Sequence, residues 1–327
     1  MKILISDYPE CMMPTHELEI ELLKKGLGNH IEVDVFSYYE NNKEEFYEHL
    51  RDADALLTAF IQFDKEAFNH APNLKVISLN STGYDAVDIE EATFRGIGVC
   101  PVGEYCTQDV AEGTLAFMLA LNKGHKHYIT DVDQRARWDF ASFKPSPRME
   151  TQTLGIFGFG KIGRCVASKA KHLCKKVIAY DPYVDKSLAA DLGVELVSPE
   201  EIYKEADMIT NHMNLNNSNI RFFDKKAFNS MEKKPIFINM GRGLSVDEDA
   251  LVDALDKGKV RAAGLDILIN ETPDLNNHPL AHRENVIITP HASFYSTTSF
   301  EALQEISCWN IIHYLNGEKD KLFKLVN

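Results

Sequence analysis

Short apolar runs alternate with longer amphipathic ones from end to end of the chain, the rhythm of parallel strands joined by crossover helices. In the first third, Lys2–Ser6, Ile31–Phe36, Ala55–Thr58 and Val76–Leu79 predict strands, and the patterns over Thr15–Lys25 and Glu44–Arg51 predict helices between them. These make one small parallel sheet covered by helices. The run Asp109–Lys123 is apolar enough for a mostly buried helix, with Asp109 and Glu112 spaced as a capping box at its start. Such a helix suits a domain junction or a subunit interface. Ala141–Arg148, with two prolines and little periodicity, predicts a loop, and a second α/β unit begins at Thr153. No fixed-period repeat or low-complexity tract interrupts the pattern.

Length and composition narrow the class. A chain of 327 residues predicts two domains, and 44% hydrophobic with 26% charged residues predicts a globular protein with a large core, which excludes disorder and fibres. The balance of 35 basic and 49 acidic residues, net −14, spreads acid along the chain and argues against a nucleic-acid partner. The N-terminus lacks a long apolar region, and no stretch approaches the roughly 20 apolar residues that span a bilayer. The expectation is a cytoplasmic protein without a membrane partner. Six cysteines form no C-x-x-C pair, so neither disulfides nor zinc is expected. His125 and His127 lie on opposite sides of a helix and H-E-x-x-H is absent, so no metal is expected.

The first chemical signal is a glycine turn. Thr153–Phe157 reads as a strand, Gly158-Phe-Gly160-Lys-Ile-Gly163 follows, and Arg164–Leu173 reads as a helix. In this order the first glycine permits a tight turn, the second lets backbone approach a pyrophosphate, and the third lets helix pack on strand. Lys161 and Ile162 would lie under the phosphates through their main chain. The next strand, Lys176–Tyr180, runs into Asp181, whose carboxylate would accept hydrogen bonds from the adenosine ribose and repel the additional phosphate of NADP. NAD is the expected cofactor.

Three later strand-to-loop segments end in polar groups: Pro235–Asn239 before Met240-Gly241-Arg242-Gly243, Ala262–Leu265 before Asp266 and Glu271, and Val286–Thr289 before Pro290-His291. In a doubly wound sheet ligands bind beyond the carboxyl ends of the strands, so these loops are expected to converge. Arg242 offers a fork of donors for a carboxylate and a 2-oxo group. His291 can give or take a proton near neutrality. Glu271 would hold the imidazole in one tautomer and favour its charged form.

With these residues in place, the chain resembles the D-isomer specific 2-hydroxyacid dehydrogenase family. The blocks that carry the resemblance are STGYDAVD at 81–88, TLGIFGFGKIG at 153–163, FINMGRG at 237–243, AAGLD at 262–266 and TPHASFYS at 289–296, in family order over most of the chain. The resemblance implies two doubly wound parallel-sheet α/β domains. A Rossmann NAD-binding domain at 101–294 is inserted in a flavodoxin-like substrate domain formed by 1–100 and 295–327, with a cleft that closes on substrate. It implies Arg242, Glu271 and His291 as the catalytic set, with Thr82 and Gly83 as amide donors to the substrate carboxylate. Trp138, Phe294 and Tyr295 would wall the side-chain pocket. Met213, Asn214, Asn219, Met240, Gly241, Arg242, Asp266 and His291 fall at cofactor-contact positions, with Asp266 near the nicotinamide carboxamide.

The chain departs from the pattern at three places. His212-Met213-Asn214 stands for the usual H-x-P, Gly113 for a histidine in V-A-E-H, and INETP for F-E-x-E-P. The block ASFYS is nearer the lactate-type and C-terminal-binding-protein-type branches, and the absence of a regulatory domain after residue 327 argues against 3-phosphoglycerate. The implied function is reversible reduction of a small 2-oxo acid to the (R)-2-hydroxy acid by NADH, in a homodimer. The alternatives are an NAD(H)-responsive scaffold of the C-terminal-binding-protein type and a formate- or phosphite-type dehydrogenase.

Overall fold

The computed structural model describes residues 1–327 and divides into two compact units, Met1–Tyr105 with Ser296–Asn327, and Cys106–Tyr295. In the first, strands β1 (Lys2–Asp7), β2 (Glu32–Ser37), β3 (Ala55–Thr58), β4 (Val76–Leu79) and β5 (Gly98–Pro101) form a parallel sheet of order β2-β1-β3-β4-β5. Every residue of β3 and β4 is buried, as expected of central strands covered on both faces. Helices α2 (Lys43–Arg51), α3 (Lys65–Asn69) and α4 (Ile89–Arg95) supply one core through Phe46, Leu50 and Phe68. On the other face, α1 (Glu17–Leu27) and the C-terminal helix Thr297–Leu315 supply Leu23, Cys308 and Ile311. The C-terminal helix is fastened to the sheet by Ser78 Oγ, which donates to the Ser307 carbonyl at 2.9 Å.

The second unit holds β6 (Thr153–Phe157), β7 (Lys176–Tyr180), β8 (Glu195–Leu196), β9 (Met208–Asn211), β10 (Ile236–Asn239), β11 (Ala262–Leu265) and β12 (Val286–Ile288). They pair in parallel in the order β12-β11-β10-β9-β6-β7-β8. The chain leaves β6 toward β7 on one side and returns to β9 on the other, so the carboxyl end of β6 is the switch point where such sheets bind ligands. The two-residue period sorts the strand side chains between faces. Ile156, Ile236 and Ile238 join α5 (Thr107–Lys123) and α7 (Lys161–Ala170), while Phe157 and Phe237 join Phe223, Phe228 and Leu251 opposite. Helices α6 (His125–Arg135), α8 (Lys186–Ala190), α9 (Pro199–Glu205), α10 (Lys225–Asn229) and α11 (Glu248–Asp256) complete the unit.

Three elements differ from the sequence reading. First, α5 starts at Thr107 behind Cys106, with no side-chain cap bond, so Asp109 and Glu112 form no capping box. Asp109 lies instead in the first turn, where an acid faces the positive end of the helix dipole. Second, α7 begins at Lys161, inside the glycine signature, rather than after it. Glycine's poor helix propensity suggests the later start, yet close packing requires a glycine within the first turn. Third, α5 spends its apolar face inside its own unit: Phe117, Met118 and Leu121 sit in the core, and a Cβ on Gly264 of β11 would lie 2.6 Å from the Phe117 ring. The exposed apolar side chains of this stretch are Leu119 on α5, Ile129 and Val132 on α6, and Trp138 and Phe140 just after it.

Candidate functional site

Two of the three glycines in the turn after β6, Gly158 and Gly163, leave no room for a side chain. Gly158 has φ +83°, and a Cβ there would lie 2.6 Å from the Met213 amide nitrogen. A Cβ on Gly163 would lie 2.1 Å from the Gly158 carbonyl oxygen, so this residue sets how closely α7 approaches the strand. At Gly160 the same construction meets nothing within 4 Å. Gly160 caps α7 without a side-chain bond, leaving first-turn amides and the positive dipole end unanswered by any cap. Lys161 is exposed beside this opening, and half-buried Ile162 packs on the core. Asp181 closes the turn from β7: its carboxylate accepts the Phe159 amide at 2.8 Å and the Tyr183 amide at 2.9 Å. These features fit a dinucleotide: an open glycine under a helix N-terminus for phosphates, with a carboxylate one strand away.

Beyond β10, β11 and β12 the second cluster assembles. His291 Nδ1 lies 2.9 Å from Glu271 Oε2. That bond, with the charges of His291 and Arg242, holds the Glu271 carboxyl below its ordinary 4.5. Arg242 is therefore near enough to act on the carboxylate, although no acid forms an ion pair with its guanidinium. One guanidinium nitrogen, Nη1, donates to the Gly241 carbonyl at 2.9 Å, which folds the side chain back on its own loop. His291 occupies the left-handed region at φ +49°, uncommon for a residue with a Cβ. Its amide donates to the Asp266 carbonyl at 2.7 Å.

The Asp266 carboxylate is committed to the same turn. It accepts the Thr289 hydroxyl, the Ala292 amide at 2.9 Å and the Ser293 amide at 3.0 Å, so this buried acid anchors the loop that presents His291. Asn219 is likewise used internally: it accepts the Asn216 amide at 2.8 Å and donates to the Asn214 carbonyl at 2.6 Å, closing the loop after β9. Met240 is buried, its sulfur 3.5 Å from Ser293 Oγ. Phe294 stands edge-on to His291 with ring centroids 6.1 Å apart, and Tyr295 follows it, 68% exposed. Trp138, 92% exposed after α6, makes no ring contact with either. Gly113 lies against the histidine loop, where a Cβ would come 2.9 Å from Ser293 Oγ, so a larger residue there requires the Ser293 side chain to shift. Thr82 and Gly83 belong to the first unit, in the turn after β4, where Ser81 Oγ donates to the Gly83 carbonyl at 2.6 Å.

Asn211 and Ser245 lie outside the motifs quoted above, and they join Asn239 in a buried network. Asn211 Nδ2 donates to Asn239 Oδ1 and Ser245 Oγ, both at 2.8 Å, and Asn211 Oδ1 accepts the Met213 amide at 3.1 Å. Asn239 Oδ1 in turn accepts the Gly241 amide at 3.1 Å, and Ser245 donates to the Arg242 carbonyl at 2.6 Å. This buried network locks the loops after β9 and β10 together. Its only sequence signal is an asparagine ending each of two apolar strands. His212, the first residue of the altered H-x-P, has both ring nitrogens buried without partners, and burial pushes its pKa down to about 3.

A family model described as D-isomer specific 2-hydroxyacid dehydrogenase, NAD binding domain, matches residues 115–293. The chain belongs to that family. This 2-hydroxyacid dehydrogenase is an NAD-dependent oxidoreductase. It is 35% identical over 320 residues to the D-3-phosphoglycerate dehydrogenase of Methanocaldococcus jannaschii, with 97% of this chain covered but only 58% of that relative's length. It is 30% identical to the glyoxylate reductase of Korarchaeum cryptofilum, covering 94% of each. Among solved structures it is similar to the D-lactate dehydrogenase of Aquifex aeolicus complexed with NAD and lactic acid, at TM-score 0.81 and 25% identity over 99% of this chain and 98% of that one. No helix of this dehydrogenase is long and apolar enough to cross a membrane.

Proposed function

We propose that this dehydrogenase reversibly reduces a small 2-oxo acid to the (R)-2-hydroxy acid, with His291 as acid–base and Arg242 as the carboxylate and carbonyl grip. The observation that carries the proposal is the Glu271–His291 hydrogen bond within the electrostatic reach of Arg242. It lies at the carboxyl edge of the sheet that also bears the glycine turn.

Glu271 engages Nδ1, so Nε2 of His291 is the nitrogen that delivers a proton to the carbonyl oxygen or takes it back from the alcohol. The carboxylate would also compensate the positive charge of the imidazole whenever it carries the transferred proton. Arg242 makes no ion pair, so the guanidinium donors not spent on the Gly241 carbonyl can pair with a substrate carboxylate and polarise the adjacent 2-oxo group. Thr82 and Gly83 retain in this proposal the carboxylate-binding role that the family resemblance gives them, and Phe294 and Tyr295 the walling of the substrate side chain. Gly158, Gly160, Lys161, Ile162 and Gly163 would hold the pyrophosphate of NAD, and Asp181 the adenosine ribose. Met213, Asn214, Asn219, Met240, Gly241 and Asp266 would frame the nicotinamide end. When bound, the reduced cofactor supplies the hydride.

Glyoxylate, hydroxypyruvate and pyruvate are the first substrates to try, since curated relatives are named glyoxylate and hydroxypyruvate reductases and a structural neighbour is a D-lactate dehydrogenase. The test mixes protein and NADH with a panel of 2-oxo acids and follows NADH absorbance. Turnover with one or more supports the assignment; NADH binding without oxidation by any of them overturns it. We also propose a homodimer, with the exposed Ile129, Val132, Trp138 and Phe140 in the contact. Trp138→Ser combined with Phe140→Ser should yield monomers by sedimentation, and an unchanged oligomer would move the interface elsewhere.

A further inference from the structure

A cavity of about 460 Å³ opens at the opposite edge of the seven-stranded sheet, lined by residues that immediately precede β6, β9, β10, β11 and β12. The glycine turn and the His291 cluster lie at the carboxyl ends of those strands, so this cavity belongs to neither. Its size is within the range of small-molecule sites.

The charge of its lining is opposite to that of the protein. Lys126, Lys144, Lys233, Lys234 and Arg261 face two acids, Asp207 and Glu284, in a chain of net charge −14. Both acids are already engaged. Asp207 accepts the Thr153 amide at 2.9 Å, and Glu284 is bound by His127 at 2.6 Å and by Arg135. Arg261 is half-buried, and all three of its side-chain hydrogen bonds go to neutral oxygens: Ser146 Oγ at 2.8 Å, Gln152 Oε1 at 2.9 Å and Asn122 Oδ1 at 3.2 Å. Withdrawal of a guanidinium from water without an ion pair is costly, and burial pulls its pKa down, with the charge of Asp207 offsetting part of that effect. Lys126 donates to the Val286 carbonyl at 2.5 Å, while Lys144 and Lys233 on the rim form no ion pair. Between the cations the wall is apolar, with Leu121, Phe143, Pro145 and Pro147.

We propose that this cavity is a second ligand site, taking a small organic anion that carries a phosphate or carboxylate on a flat apolar body. The acidic group meets Arg261 and the rim lysines, and the body lies against Phe143 and the prolines. Nothing in this assignment depends on the reductase reading.

The probe is phenyl phosphate, titrated calorimetrically into the full-length protein with and without saturating NADH. Phenol and inorganic phosphate serve as the two halves of the probe. Phenyl phosphate should bind equally well in both conditions, roughly tenfold or more tighter than either half, because the two parts bind as one body. Lys144→Glu combined with Lys233→Glu, both exposed, should weaken it by roughly tenfold or more and leave the melting temperature unchanged. Arg242→Ala should leave it intact. Absence of binding, loss of binding when NADH is present, or unaltered affinity in the charge-reversed protein would each overturn the proposal. So would a change of oligomeric state caused by that double substitution, since it would make the cavity a subunit contact.

Discussion

Two alanine substitutions three residues apart in one turn should fail for different reasons. In Gly163→Ala the new Cβ is built 2.1 Å from the Gly158 carbonyl oxygen, against an ordinary carbon–oxygen contact, so α7 or the turn must give by roughly 1 Å. The obstacle is backbone, not a side chain that can swing away, and such overpacking costs about 1–3 kcal/mol. For a unit of this size each kcal/mol moves the melting temperature by about 2–4 °C, so a loss of roughly 2–12 °C is expected without any ligand. In Gly160→Ala the Cβ meets nothing within 4 Å, and φ −69° suits any residue. Replacing a glycine N-cap by alanine costs under about 1 kcal/mol, so the apo protein should melt close to the parent. Its methyl group would fill the opening proposed for the pyrophosphate. Loss of one charge-assisted hydrogen bond, about 1.5–3 kcal/mol, weakens NADH by roughly ten- to a hundredfold. Differential scanning fluorimetry of the apo proteins and NADH fluorescence titration separate the two effects. Parent-like NADH affinity in Gly160→Ala would refute the placement of the phosphates, and parent-like melting of Gly163→Ala would refute the packing argument.

Further outcomes follow from individual residues. His291→Ala should lower kcat by about 10²–10⁴ with NADH affinity little changed, as read by steady-state kinetics and titration; retained turnover would remove the imidazole from the proposed chemistry. His212 is buried without partners and its pKa is depressed to about 3, so the unfolded chain binds its proton more tightly than the folded one. The resulting penalty is absent above an unfolded pKa near 6.5. It grows by up to about 1.4 kcal/mol per pH unit as the pH falls below that value toward the folded pKa. Urea unfolding of His212→Leu from pH 8 to roughly pH 5 should lose that slope, and an unchanged slope would assign it to other groups. Asp181→Ser should raise the NADPH-to-NADH affinity ratio yet weaken both cofactors, because the carboxylate also holds the Phe159 amide of the glycine turn. A variant that gains NADPH affinity without losing NADH affinity would show that this bond contributes nothing to the turn.

The residue patterns carried much of this architecture because burial is encoded locally. The continuous apolar runs at Ala55–Thr58, Val76–Leu79, Thr153–Phe157, Lys176–Tyr180 and Ala262–Leu265 coincide with observed strands, since each such strand is buried on both faces wherever it lies in the sheet. The two all-parallel sheets and the glycine turn after β6 followed from the same alternation and from glycine spacing, which act over a few residues. Helix starts were less legible. Cys106 ahead of α5 and Gly160 ahead of α7 make no side-chain cap bond, so neither start carries a capping signal.

Contacts that join residues distant along the chain were decided only when strand register placed their side chains together. His291 and Glu271 meet at 2.9 Å because β11 and β12 end side by side, and the Asp266 carboxylate anchors the histidine turn rather than standing free. The left-handed backbone at His291 has no sequence mark, because the residue there is not glycine. The Asn211–Asn239–Ser245 network is likewise a product of neighbouring strands ending level with one another, and the basic cavity around Arg261 of neighbouring strands beginning level. Local sequence specifies which side chains avoid water and where the chain can turn; the free energy of pairing polar groups across a sheet exists only after that sheet is assembled.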